Sequence, residues 1–189
     1  MRRGNSIVIF ASVLIIILIS FIYRESPLVP IHKVTYFNYP TQHDTMFSSN
    51  DLIGKITIAD FFFTSCPALC PAMNRYMKEL SLLYQNNPDI QFLSISVDPK
   101  NDTKSSILTY IDSQKLNYSN WFFLESESES ISKLLEEGFM LSGDGLPGLH
   151  SSKFILINSD GEIIHYYDPF LEAEFDKLKK DTKHLLSRL

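Results

Sequence analysis

Hydrophobic positions follow three rhythms along this chain, and each predicts a different element. From Ile7 to Tyr23 they are almost unbroken, 17 residues with no charge and only two serines. Ile56 to Phe63 is a shorter, nearly all-apolar run, the pattern of a strand covered on both faces, and Ile90 to Val97 reads as the next strand. From Pro71 to Gln85 the rhythm changes. Met73, Tyr76, Met77, Leu80, Leu83 and Tyr84 recur at helical spacing, until Asn86-Asn87-Pro88 stops the pattern. A second helix is expected from about Thr103, with Ile107, Leu108 and Ile111 inward. Trp121 to Leu124 reads as a short strand, and Ser130 as the cap of a helix carrying Ile131, Leu134 and Leu135. Lys153–Asn158 and Glu162–Tyr167 flank the turn Ser159-Asp160-Gly161, a β-hairpin signal. A last helix carries Leu171, Phe175, Leu178, Thr182, Leu185 and Leu189.

The order β-α-β-α-β-α-β-β-α predicts an α/β domain, a central mixed sheet, mostly parallel, with helices on both faces. A β-α-β unit closed by a hairpin and a helix matches the thioredoxin plan. Residues 24–50 contain Pro27, Pro30, Pro40 and Ser48-Ser49-Asn50, and read as a stalk or irregular lead-in in which Ile31 to Phe37 forms at most one short strand. The expected organisation is a stub and membrane anchor over 1–23, a lead-in over 24–50 and a thioredoxin-like domain over 51–189.

The apolar N-terminal run spans roughly 26 Å as a helix, a little under the ~30 Å hydrocarbon core of a bilayer. Tyr23 and Arg24 can reach the far interface. A cleaved signal peptide is the competing reading, but Ser20-Phe21-Ile22-Tyr23 is a poor cleavage site. No cysteine follows the run closely, which argues against a lipid-modified anchor. Arg2 and Arg3 favour a cytoplasmic N-terminus and an external domain. No Arg- and Ser-rich transit segment precedes the run, so a bacterial inner membrane with a periplasmic domain is expected.

Composition narrows the function classes. An apolar fraction of 44% can build a core, which argues against wholesale disorder. The net charge of −5 and the absence of a basic stripe argue against nucleic-acid binding.

The chemistry concentrates in Phe62-Phe63-Thr64-Ser65-Cys66-Pro67-Ala68-Leu69-Cys70-Pro71, which holds the only two cysteines. They stand at the end of a strand and the start of a helix, where open α/β sheets bind ligands and unpaired N–H groups favour thiolates. Residues four apart share a helix face. The helix can start at Pro67 or only at Pro71, and either way the pair is expected to be partly exposed. Three uses are open. Two thiolates suit a soft metal, and with only two cysteines Cu(I) fits better than structural zinc or a cubane. A dithiol/disulfide couple is the second, although its usual motif has two intervening residues. A structural disulfide is the third, but a bridge across so short a loop stabilises little.

Of the five histidines, His32, His43 and His184 read as surface residues and His165 as part of a sheet face. His150 differs. It follows the loop Gly143-Asp144-Gly145-Leu146-Pro147-Gly148, which precedes no helix and is not a phosphate cradle. It also directly precedes a strand whose start abuts the cysteine turn in a thioredoxin plan. Met73 and Met77 are soft donors in principle, but their spacing makes them core residues. Asp98 follows its strand at the same sheet edge and reads either as a turn former or as a supporting or docking residue for the site.

Together these residues resemble the SCO/SenC family of membrane-anchored copper proteins. The resemblance is carried by Phe63-Thr64-Ser65-Cys66-Pro67-Ala68-Leu69-Cys70-Pro71, by Ser96-Val97-Asp98-Pro99-Lys100-Asn101-Asp102-Thr103, and by His150 before a strand and the Asp160-Gly161 turn, over roughly residues 51–180. It implies a thioredoxin-like fold and copper held by Cys66, Cys70 and His150. It also implies delivery of copper to, or reduction of cysteines in, the dinuclear copper site of cytochrome c oxidase. The expected partners are the copper-accepting oxidase subunit, a thiol–disulfide reductant and the membrane. Ala68 stands where the family often has Asp, a departure that bears on Cu(II) affinity or partner choice but removes no ligand. A thiol–disulfide reductase and a membrane redox- or copper-sensing module are the alternatives.

The topology predicts that a reporter fused after Leu189 is active outside the cytoplasm. Activity of such a fusion only inside the cell would reverse the assigned orientation.

Overall fold

The computed structural model describes residues 27–148 and 151–189. The apolar run Ile7–Tyr23 and His150 lie outside the described residues. Among the described residues no helix is long and apolar enough to cross a membrane.

Among the described residues are eight strands and four helices, and those from residue 56 onward follow the expected alternation. The strands are β1 (His32–Lys33), β2 (Asn38–Pro40), β3 (Met46–Ser48), β4 (Ile56–Phe62), β5 (Ile90–Ser96), β6 (Trp121–Leu124), β7 (Phe154–Ile157) and β8 (Glu162–Tyr167). The helices are α1 (Leu69–Leu83), α2 (Lys104–Gln114), α3 (Ile131–Lys133, continued by a wider turn over Leu134–Gly138) and α4 (Glu172–Leu186). The central sheet has the order β1-β8-β7-β4-β5-β6. β4, β5 and β6 are parallel, β7 pairs antiparallel with β4, and β8 pairs antiparallel with β7. The sheet is therefore mixed.

Side chains alternate across the sheet and divide the core in two. On one face Ile56, Ile58 and Phe62 of β4 pack with Met73, Met77 and Leu80 of α1, Ile107 and Ile111 of α2, and Phe175 and Leu178 of α4. On the other, Ala59 and Phe61 meet Ile131, Leu134 and Leu135 of α3. Met73 and Met77 are core residues, 1% and 0% exposed.

Several local expectations are revised. Residues 31–48, read as lead-in, are packed: β1 pairs with β8, and β2 with β3. Val34, Phe37, Tyr39 and Phe47 are buried in the second core layer. The period-two burial of Phe37 and Tyr39 is the signal that prolines obscured. On α2, Leu108 is exposed and Tyr110 takes the inward place, because the stripe runs 107, 110 and 111. Thr103 caps that helix by accepting from the Ser106 N–H. Ser130 makes no side-chain cap bond; its hydroxyl meets the Tyr39 hydroxyl at 2.6 Å instead. Leu171 and Leu189 flank α4 and are exposed, leaving Phe175, Leu178, Thr182 and Leu185 to bury its face.

Burial of the lead-in has a measurable consequence. Phe47 stacks on Phe37 and packs against Phe122. Phe47→Ala is expected to cost about 3–5 kcal/mol, seen as a lowered midpoint in a single chemical-denaturation transition. A stalk would leave that midpoint unchanged.

Candidate functional site

Parallel pairing of β4 with β5 ends both strands at one edge, with Phe62 opposite Ser96. The Val97 N–H donates to the Phe62 carbonyl at 2.9 Å, the last link before the strands part. From that edge β4 runs into the cysteine loop and β5 into the Asp98–Asp102 turn. The cysteine loop turns at once: the Cys66 N–H donates to the Phe63 carbonyl at 3.2 Å. α1 then begins at Leu69, earlier than Pro71 and later than Pro67. Pro71 is tolerated in the first turn, where its missing N–H would have no helical partner.

This start buries the pair more deeply than expected. Cys70 now shares a face with Met73, Asn74 and Met77 and is 1% exposed, while Cys66, still outside the helix, is 9% exposed. No disulfide joins the two. The Cys70 N–H donates to the Cys66 sulfur at 3.3 Å.

The two thiols sit in different electrostatic settings. At Cys66 burial opposes ionisation, but the Cys70 N–H, the Cys70 thiol and the N–H groups of Ala68 and Leu69 outweigh it. The thiol is held below its ordinary pKa, as at other helix N-termini. At Cys70 burial dominates and pushes the thiol up, aided by Cys66 and Asp60 and only partly opposed by the Phe63 N–H. Cys66 is thus the ready thiolate and Cys70 the reluctant one.

Below Cys70 lie groups that sequence reasoning passed over. Asp60 is the one acid in the apolar strand β4, and it is 2% exposed on the face that carries Ile58 and Phe62. Ser94 donates to it at 2.5 Å and itself accepts from the Trp121 indole at 2.9 Å. Burial raises the Asp60 carboxyl to about 7 despite the Ser94 bond. A lone acid in a buried run was a legible signal. Tyr110 stacks on Phe62 and accepts from the buried Asn74 amide at 2.6 Å. Burial raises its phenol, and the charges of Cys70, Asp60 and Cys66 add to that.

The other expected site residues fall as follows. Asp98 is buried, and its carboxylate accepts from the Asn101 amide at 2.8 and 3.0 Å, while its carbonyl accepts from the N–H groups of Asn101 and Asp102. These bonds build the turn after β5. His32 bonds the Glu137 carbonyl, His43 lies edge-on to Phe122 and His165 edge-on to Tyr167. Among the described residues no cluster of three or more His, Cys, Asp and Glu side chains is placed to hold a metal ion. The expected third ligand, His150, is not among them. What the geometry does supply is two soft sulfurs at one helix start, with a thiolate-stabilising N–H array. That donor set fits a soft cation or a dithiol redox couple.

Comparison with known proteins follows the same lines. The SCO1/SenC family model matches residues 28–187. A SCO1/SenC family lipoprotein of Bacillus anthracis shares 30% identity at a TM-score of 0.74, covering 83% of this chain and 97% of the other. BsSco, a member of the Sco family of cytochrome c oxidase assembly proteins in which a disulfide switch was identified, shares 29% at 0.71, covering 83% and 95%. ScoI of Bradyrhizobium japonicum, solved with copper bound, has the same fold at 21% identity and a TM-score of 0.64, covering 81% and 99%.

Asp60 makes stability depend on pH with a definite sign. Its folded pKa lies above its ordinary one, so the folded state holds the proton more tightly. The contribution is complete below about 4 and is lost as pH rises toward about 7. Its slope is at most about 1.4 kcal/mol per pH unit, on the order of a few kcal/mol in all. Denaturation of wild type and Asp60→Asn from pH 4 to 8 checks this. The wild type should lose stability relative to the variant across that window, and a constant difference would show that Asp60 stays ionised.

Proposed function

Because the chain belongs to the SCO1/SenC family, we propose that it is a copper chaperone, with copper as its cargo, serving assembly of the dinuclear copper site of cytochrome c oxidase. Cys66, Cys70 and His150 are the assigned ligands. The observation that carries the reading is the pair of thiols at the start of α1, with the Cys70 N–H directed at the Cys66 sulfur. Soft thiolates select Cu(I), and a pair without further cysteines leaves room for a third, neutral donor.

The chemistry follows from the unequal thiols. Cys66 is the easier to ionise and engages first. Binding then deprotonates Cys70, whose burial otherwise keeps its proton, so metal capture releases protons. Incoming thiolates of the oxidase subunit displace the ligands one at a time. Oxidation of the pair to a disulfide removes two electrons and two protons and both sulfur donors, so the redox state gates loading. A thiol–disulfide reductant resets the pair. An anchor over Ile7–Tyr23 holds the domain on the periplasmic side of a bacterial inner membrane.

The same asymmetry favours a second reading, thiol–disulfide reductase. A low-pKa sulfur nearer the surface, 9% exposed, beside a more deeply buried high-pKa one suits attack by Cys66 and resolution by Cys70.

One paired experiment separates the two. The full chain, reduced anaerobically, is titrated with Cu(I) against a chromogenic chelator and assayed for turnover of disulfide substrates. About one Cu(I) per chain is expected, abolished by Cys66→Ala and weakened at least tenfold by His150→Ala. Turnover of disulfides without tight Cu(I) binding would overturn the chaperone reading in favour of the reductase.

A further inference from the structure

The cysteine loop is held from a side that the ligand set does not include. Asp102 lies in the turn after β5 and is fully buried. Its Oδ1 accepts from the Thr64 hydroxyl at 2.6 Å and from the Thr64 N–H at 3.0 Å, with Oδ2 at 3.2 Å from the same N–H. Oδ2 also accepts from the Ser96 hydroxyl at 2.6 Å. Each of these partners donates, so the carboxylate's buried lone pairs are met without a cation.

The position of Thr64 makes this arrangement consequential. Thr64 follows Phe63 in the four-residue turn that the Cys66 N–H closes onto the Phe63 carbonyl. Fixing Thr64 by both backbone and hydroxyl fixes that turn, and with it the direction in which the Cys66 sulfur leaves it. Asp102 is itself fixed: its N–H donates to the Asp98 carbonyl at 2.8 Å, and Ser96 ends β5. The path from the rigid sheet to the sulfur is therefore Ser96, Asp102, Thr64, Cys66. On the other side the Cys70 N–H donates to the sulfur at 3.3 Å.

We propose that Asp102 is a positioning residue, whose carboxylate ties the cysteine loop to the end of β5 and so holds Cys66 where it acts together with Cys70. The proposal rests on the reading of Cys66 and Cys70 as a working pair, and it deepens that reading. Asp98, two residues after Ser96, builds the turn that presents Asp102.

Two readouts test it on the full chain in detergent. One is Cu(I) affinity of the reduced protein. The other is the equilibrium between the Cys66–Cys70 dithiol and its disulfide in glutathione buffers, which measures how well the sulfurs are held together and needs no copper. Asp102→Asn is expected to lower Cu(I) affinity at least tenfold and the effective concentration of the thiol pair at least fivefold. Thr64→Val, which removes only the 2.6 Å hydroxyl bond, should lower both about threefold, and the double variant should lose less than the product of the singles. Leu185→Ala, a core truncation on α4, serves as the comparator for destabilisation alone and should leave both readouts within twofold of wild type.

The proposal is overturned if Asp102→Asn keeps both values within twofold, or if Leu185→Ala lowers them as far. Should Asp102→Asn not fold, unchanged values in Thr64→Val overturn it instead. Wild-type protein that binds no Cu(I) would defeat the chaperone reading, while the glutathione equilibrium would still decide the role of Asp102.

Discussion

Two parallel strands that stop together set up everything at this site. β4 and β5 pair over their whole length, from Ile56 opposite Ile90 to Phe62 opposite Ser96. Because the pairing is parallel, both chains leave the sheet at the same edge. One delivers a loop with two sulfurs, and the other delivers a tight acidic turn. A single register slip would turn Asp60 out of its layer and part Thr64 from Asp102. Cross-strand hydrogen bonds guard against that slip, since Ser94 bonds Asp60 and Gln91 bonds Thr57 directly opposite, in strands buried at every position.

The next level of organisation is the inequality of two chemically identical side chains. Cys66 and Cys70 are four residues apart, yet one meets the N–H groups that precede and open α1 while the other points into the core. Where the helix starts decides this. Beginning at Leu69, it puts Cys70 on the face with Met73 and Met77. Burial raises one thiol, and directed N–H groups lower the other. A pair of equal thiols would oxidise or bind metal with no preferred order. An unequal pair has an entry sulfur and a locking sulfur, which is useful for transfer in steps.

Much of this was legible from the chain alone, and particular residues show why. The order of strands and helices follows from the switch between apolar runs and helical stripes. The sheet, the hairpin and the helix that opens on the cysteines all stand where those patterns put them. The cysteine pair announced itself by rarity and spacing. Residues 31–48 were harder to read. Pro30 and Pro40 look like loop punctuation, whereas their neighbours Val34, Phe37 and Phe47 are buried by contacts distant in sequence. Leu108 and Tyr110 traded places because a one-residue rotation of α2 is set by what Phe62 and Asn74 offer it. Asp102 could be seen only as a turn former. Its partner Thr64 is 38 residues away, and only the parallel pairing of β4 and β5 brings the two together.

Burial and reactivity are reconciled in this arrangement by polar groups placed for single tasks. A sulfur held in an apolar cavity would keep its proton and bind little. A sulfur on a mobile loop would ionise readily but would spend little time near its partner. Here the carboxylate of Asp102 takes up the freedom of the loop without touching the sulfur, and the opening N–H groups of α1 favour the thiolate without exposing it to solvent. Asp60 lies behind Cys70 and works the other way, since any charge it carries opposes ionisation of that thiol. Acidification that protonates Asp60 relieves this opposition while making thiolates rarer in general. The relief is small beside the burial that keeps the Cys70 proton, and of the two thiols it acts at Cys70 alone. The division of labour between the sulfurs is therefore built into the floor of the site as well as its rim.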